Sequence, residues 1–368
     1  MIFYKCSLKN LSQIMDLLRA YGNVAGQRIN LHKSKFYVKS TMPLKRIEQT
    51  QLYLGFTRGS VPVRYLGVPI FKGKLKASFL LPIVDRIKSK LASWKGNLLS
   101  CMGRVLLVRS VLQSMLIHNF QIYKWLVSLL KLIETWFRNL IWTGTILHSN
   151  PNTVPWHKVC SDFEEGGLGL KSLSEINNAY MLILCWNFLK GESDWAVVLG
   201  YRVAKKNGTV AHYLTSTIWA SIRDMYPKVK THSTWIIGNG TKVNFWTDRW
   251  LSMPIVDIMN IHASFHPKFK CSVSNFLKDG SWHLPPSIQG RVGNQIDNIA
   301  IPFCELEDSL IWDLTPNGDM LFKDPYSFFR QPSLKSIGLK QFGIIISLPL
   351  SLLYFGDSSM GRPPLRIS

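Results

Sequence analysis

The chain has 368 residues, 46% of them hydrophobic, which is enough for two or three cores and excludes a largely disordered protein. Its 44 Lys and Arg against 22 Asp and Glu leave a formal charge of +22, a surplus that an anionic partner such as nucleic acid would neutralise. The surplus is concentrated, because residues 1–140 hold 23 Lys and Arg against 4 Asp and Glu, so the anion-binding face belongs to that stretch.

Leu8, Leu11, Ile14, Met15 and Leu18 recur at three and four and predict an amphipathic helix ending near Gly22. Beyond Gly26, Ile29, Leu31 and the run Phe36-Tyr37-Val38 predict short strands, and Pro62 to Pro69 predicts a further extended segment bounded by prolines. From Phe79 to Trp142 the period becomes helical. Leu80, Ile83, Val84, Ile87, Leu91 and Trp94 form one stripe, Val105, Leu106, Val108, Val111, Leu112 and Met115 a second, and Leu129, Leu132, Ile133, Trp136, Phe137 and Leu140 a third. Three such helices in succession predict a small bundle. Glu164 to Gly169 reads as a turn before another helix around Leu173 to Phe188, capped by Ser172 or Ser174. In the Trp-rich remainder, Trp235 to Gly240 followed by Lys242 to Trp246 predicts a β-hairpin closed by Asn-Gly. The fold class is therefore α+β, predominantly α, with a small β unit.

Catalytic chemistry finds little support in these residues. Asp16, Glu48, Asp85 and Glu134 are isolated carboxylates on helical patterns, read as solvated helix charges and not as the paired acids that hold two magnesium ions. Asp162, Glu164 and Glu165 cluster beside a Gly-Gly turn and read as a solvated loop. His32, His118, His157 and His212 have no partner at nucleophile or metal spacing. Gly238-Asn239-Gly240 lacks the helix and lysine of a phosphate-binding loop and reads as a hairpin turn. Cys6, Cys101, Cys160, Cys185, Cys271 and Cys304 stand far apart, without a CxxC pair, and read as reduced thiols of an intracellular protein that holds no zinc. The N-terminus lacks the apolar core of a signal peptide, and the apolar run Ile344 to Phe355 is too short to span a membrane. The bases form a pattern with content. Lys72, Lys74 and Lys76 lead into Arg86, Lys88, Lys90, Lys95, Arg104 and Arg109, on helices whose apolar stripe faces inward, so these bases are expected to point outward at backbone phosphates.

Strings spread along the chain resemble the reverse transcriptases of plant LINE-type (non-LTR) retrotransposons. They are Gly26-Gln27-Arg28-Ile29-Asn30 with Lys33-Ser34, then Tyr65-Leu66-Gly67-Val68-Pro69, then Trp94-Lys95 through Leu99-Ser100 and Gly103-Arg104 to Leu107. The resemblance continues through Ile141-Trp142, Pro155-Trp156, Gly166 to Gly169, Asn177, Ala179 and Trp186, then Trp235 to Gly240, Phe245-Trp246, Asp248, Trp250, and Asp308 to Trp312. It implies the end of a palm subdomain over residues 1–77, a helical thumb over 78–145 and a connector over 146–330. It further implies a primer-grip-like segment at Tyr65, Leu66 and Gly67. In that family the catalytic Asp-Asp precedes a segment like Ile2-Phe3-Tyr4, so the chain is expected to bind RNA or an RNA–DNA duplex without polymerising. No cofactor is then expected in this chain, although the parent enzyme would use Mg, and neither a membrane nor a small-molecule substrate is expected as partner.

The family's next segment is replaced at Tyr354 to Arg362, where a shifted frame of possible codons spells Phe-Trp-Arg-Leu-Leu-His-Gly-Lys, so residues 331–368 read as a frameshifted tail. Two rival readings are a stand-alone basic nucleic-acid-binding protein with a host role and a decayed open reading frame without function. The flanking DNA discriminates them.

Overall fold

The computed structural model describes residue 2 and residues 7–39, 41–71, 73–94, 96–147, 154–203, 217–278, 280–299, 301 and 306–330. The expected frameshifted tail, and with it Lys72, Lys95, His212, Cys6 and Cys304, lies outside the described residues. The architecture is α+β and predominantly α, with four two-stranded sheets among the described residues, and the chain divides between residues 72 and 73 into two compact units.

In the first unit, α1 (Leu8–Ala25) starts where the Ser7 hydroxyl accepts the Asn10 N–H at 3.3 Å and stops at Gly26, whose φ of +64° is left-handed. The helix thus runs a turn beyond the predicted end at Gly22. Gly22 serves another purpose, since a Cβ there would stand 2.5 Å from the returning Gln27 carbonyl. Leu11 and Met15 pack with Ile47 and Leu54 of α2 (Leu44–Leu54) and with Phe36. The strand expected at Ile29 and Leu31 does not form, because Asn30 takes the N–H groups of Lys33 and Ser34 into a turn. What remains is β1 (Lys35–Phe36), parallel to β2 (Thr57–Arg58). The segment predicted as one extended piece is a hairpin of β3 (Val63–Tyr65) and β4 (Val68–Ile70), reversed at Leu66 and Gly67, whose φ values are +49° and +86°.

The second unit opens with α3 (Ala77–Ala92), α4 (Cys101–Phe120) and α5 (Val127–Thr143), the three predicted helices. α5 packs on both others, and buried on these helices are Ile133, Phe137 and Leu140 of α5, Leu80, Val84, Ile87 and Leu91 of α3 and Val105, Val108 and Leu116 of α4. Leu106 and Leu132 depart from their predicted stripes and are exposed. After the short α6 (Trp156–Val159), α7 (Leu173–Lys190) joins the bundle as a fourth member, packed on α4 and α5, with Ala179, Met181, Leu182 and Cys185 fully buried. Its other side meets α9 (Thr217–Thr231), which follows α8 (Asp194–Val203), in a core of Trp186, Trp219, Ile222 and Trp312. Burial raises the pKa of the Cys160 and Cys185 thiols, and both are free.

The remaining elements are β5 (Ser233–Ile236), α10 (Ile255–Ile258), β6 (Leu277–Lys278), β7 (Ser281–Trp282), α11 (Pro286–Asp297), β8 (Ser309–Trp312) and α12 (Lys323–Phe329). The predicted Asn-Gly hairpin is replaced by a longer-range pairing, because β5 pairs antiparallel with β8, Trp235 opposite Leu310. The Gly-Asn-Gly turn instead wraps a carboxylate. The N–H groups of Gly238, Gly240 and Lys242 donate to Asp308 at 2.7, 2.8 and 2.8 Å, which satisfies three buried or half-buried donors at once. A Cβ at Gly238 would stand 2.2 Å from the Leu306 carbonyl, so only glycine admits the approach.

Two buried polar side chains tie α7 to the helices before it. Asn177 accepts the Trp125 N–H at 2.8 Å and donates to the carbonyls of Phe120 and Tyr123, closing the α4–α5 turn. Glu134, read from sequence as a solvated helix charge, is 9% exposed and accepts the Leu173 N–H at 2.8 Å and the Ser172 hydroxyl at 3.2 Å. Ser172 stands at the N-cap of α7 as expected, but its side chain makes no capping bond, and the Leu173 N–H is taken by Glu134 of α5 instead.

Two predictions follow from these ties. Asn177→Leu should lower unfolding free energy by about 3 kcal/mol in urea titration, since it strands a buried N–H and two carbonyls. A loss below about 1 kcal/mol would mean that the turn finds other partners. Desolvation holds the Glu134 carboxyl above its ordinary pKa, outweighing the hydrogen bonds that favour its charged form. A raised folded-state pKa means that its contribution is fully present below the ordinary carboxylate range and is lost as pH rises through the folded value. Glu134→Gln keeps the accepting oxygen and should flatten that decline above the ordinary carboxylate range of about pH 4, whereas an unchanged pH profile would assign the decline to other carboxyls.

Candidate nucleic-acid interface

The outer face of α3 follows from its inner one. With Leu80, Val84, Ile87 and Leu91 buried, the intervening positions face solvent, and Arg86, Lys88 and Lys90 are all exposed there, preceded by exposed Lys74 and Lys76. Arg86 and Lys90 stand one helical turn apart. Lys88 lies across towards α5, its Nζ 5.7 Å from the ring centroid of Trp136. Arg109 is exposed on α4. Among the described residues none of Arg86, Lys88, Lys90 and Arg109 forms an ion pair. Helix starts follow the same trend, because α1 to α5 carry no acid in the first turn, whereas beyond them α6, α9 and α11 carry none but α7, α8, α10 and α12 carry Glu175, Asp194, Asp257 and Asp324.

Arg104 is a correction to the sequence reading. Its guanidinium turns inward and donates to the carbonyls of Gly96 at 2.9 Å, Leu99 at 3.1 Å and Ile141 at 3.1 Å. It thereby joins the α3–α4 linker to the end of α5, where a Cβ on Gly96 would stand 2.2 Å from the Gly144 carbonyl. Ser100 caps α4 through the Gly103 N–H at 3.2 Å, so Leu99 to Arg104 is a helix-start staple. Lys95 lies outside the described residues.

Tyr65, Leu66 and Gly67 form the exposed tip of the β3–β4 hairpin, with Leu66 73% exposed at positive φ. Arg58 and Arg64, exposed in the same unit, add positive charge. An open cavity of about 480 Å³ there is lined by Ser7, Lys45, Arg46 and Gln49. In the second unit, an open cavity of about 430 Å³ beside Tyr226, Lys230 and His266 contains Asp248, which accepts the Asn244 N–H at 2.9 Å and faces Lys230 at 3.8 Å. Asp162 and Glu165, read as a solvated loop, are both paired with Arg330.

No family model matches the chain. Over 201 residues it is 29% identical to a protein of Arabidopsis thaliana named "Putative ribonuclease H protein", a match covering 52% of this chain and 32% of the relative. The chain thus spans about a third of that relative's length. Among the described residues, no helix is long and apolar enough to cross a membrane, and no group of three or more His, Cys, Asp or Glu is arranged to hold a metal ion.

Arg104→Gln should cost about 2 kcal/mol of stability, because three carbonyls lose a charged donor. The salt dependence of nucleic-acid binding should stay unchanged. A lower salt slope with wild-type stability would return Arg104 to the binding face.

Proposed function

We propose that the chain is part of a LINE-type (non-LTR) retroelement reverse transcriptase that holds RNA or an RNA–DNA duplex by its backbone. The observation that carries this is the set of exposed bases Arg86, Lys88 and Lys90 on α3, none of them in an ion pair among the described residues, within a stretch of 23 bases and 4 acids. The ordered strings from Gly26 to Trp312 support the family, and a relative named for a ribonuclease points to the same class of ligand. On this reading residues 1–77 end a palm whose Tyr65 to Gly67 tip is primer-grip-like, residues 78–145 are the thumb and residues 146–330 the connector.

Binding is the role assigned, without polymerisation or cleavage. Two-metal phosphoryl transfer needs converging carboxylates. In residues 1–140 the acids are Asp16, Glu48, Asp85 and Glu134, and Glu134 is already engaged as the cap of α7. Among the described residues no group of acids converges as the parent enzyme's Mg would require.

Neutralising phosphates makes the logarithm of affinity fall linearly with the logarithm of salt, by about 0.9 per duplex phosphate. Arg86→Gln/Lys88→Gln/Lys90→Gln should therefore lower that slope by about two to three units and weaken all sequences alike, because such contacts read no bases. An unchanged slope, with the helices intact by circular dichroism, would place the binding face elsewhere.

A further inference from the structure

The same helix carries a residue that the binding role leaves unused. At about 100° per residue, Ser89 and Pro82 stand opposite the mean of Leu80, Val84, Ile87 and Leu91, and of the two only Ser89 carries a hydroxyl. Ser89 is exposed, and among the described residues its hydroxyl has no partner. Arg86 stands three positions before it, one turn back on the same side, and Lys88 and Lys90 flank it on either hand. It lies in the last turn of α3, which ends at Ala92, so exposing it to a second protein requires opening only a helix end.

We propose that Ser89 is a phosphoacceptor for a serine kinase that selects basic neighbours, and that its phosphorylation closes the α3 face to nucleic acid. Arg86-Ile87-Lys88-Ser89-Lys90 offers such a kinase positive charge three residues before the acceptor and on both sides of it, the kind of charge pattern by which kinases choose substrates. Ser89 Oγ attacks the γ-phosphorus of ATP, and the Oγ–P bond forms as the bond to the β,γ-bridging oxygen breaks. ADP leaves, and the hydroxyl proton passes to the kinase's catalytic carboxylate.

The consequence is electrostatic. Arg86, Lys88, Lys90 and Asp85 together give the outer face a charge of plus two, and a phosphoserine adds about −1.5 to −2, which brings the face to roughly zero. The new charge also stands near a helix C-terminus, where the dipole opposes it and loosens the last turn. Both effects weaken backbone binding. This consequence rests on the interface proposed above, whereas the phosphoacceptor assignment rests on the exposure and setting of Ser89.

The test uses the full chain, ATP and the catalytic subunit of a basophilic serine kinase, with phosphate located by tandem mass spectrometry. A short RNA–DNA duplex is then titrated at several salt concentrations. The expected result is phosphate on Ser89, a salt slope lower by about two units and roughly 100-fold weaker binding at about 0.1 M salt, with Ser89→Ala keeping the unmodified slope after the same treatment. Absence of phosphate at Ser89, while the kinase modifies a peptide of residues 84–92, overturns the assignment. Phosphate at Ser89 with an unchanged steep slope overturns the switch. If the unmodified chain binds without salt dependence, the interface reading fails, and the mass spectrum alone decides whether Ser89 is the acceptor.

Discussion

Asn177 is the constraint on which the helical bundle depends. The turn between α4 and α5 presents a backbone N–H at Trp125 and carbonyls at Phe120 and Tyr123 to the interior, and none of them can reach water. One amide side chain has a lone pair and two donors to match that set, and α7 delivers it from more than fifty residues away. Glu134 returns the tie, from α5 to the start of α7. α4, α5 and α7 are thus linked by partners that apolar packing alone would leave unsatisfied. The position of α3 follows from α5, and with it the outward row of bases.

Charge is divided by the same logic. Acids beyond residue 140 are largely engaged within the fold, Asp308 in the glycine cradle, Asp313 with Arg249, Glu307 with Lys242, and Asp162 and Glu165 with Arg330. Carboxylates spent on such partners are not free to screen α3. Arg104 marks the opposite case, a base withdrawn from the surface because three carbonyls at the α3–α4 linker and the end of α5 need a donor. Interior satisfaction decides which charges remain available to a ligand.

Local periodicity was legible. Helices α3, α4, α5 and α7 stand where their apolar spacing puts them, because burial of one face at a period of 3.6 is visible within a few residues. The β3–β4 turn was partly legible, since Leu66-Gly67 contains the glycine that a positive φ favours but the flanking prolines suggested a single extended piece. Partners distant in sequence were not legible. Asn-Gly followed by an apolar run has the local signature of a hairpin, yet Gly238 and Gly240 meet Asp308 some seventy residues on, and no local pattern encodes that approach. For Glu134 the helical pattern located the residue but not the N–H of Leu173 that draws its carboxylate inward. Of the bases, Arg86, Lys88 and Lys90 were legible as outward because their own helix decides it, whereas Arg104 answers to the far end of α5.

Residues that stand out in the sequence therefore carry different kinds of information. Leu99 to Arg104, Asn177 and Asp308 each close a backbone that would otherwise hold unsatisfied groups, so their roles in the fold need no contact with a ligand. Leu66 is of another kind. Its left-handed conformation costs a leucine about 1–2 kcal/mol that glycine would avoid, while Asn260, the other described non-glycine residue with positive φ, is a type that tolerates it. No packing offsets that cost, because the side chain is mostly exposed. An apolar residue in a strained turn at a solvent-facing tip is not explained by the stability of the hairpin.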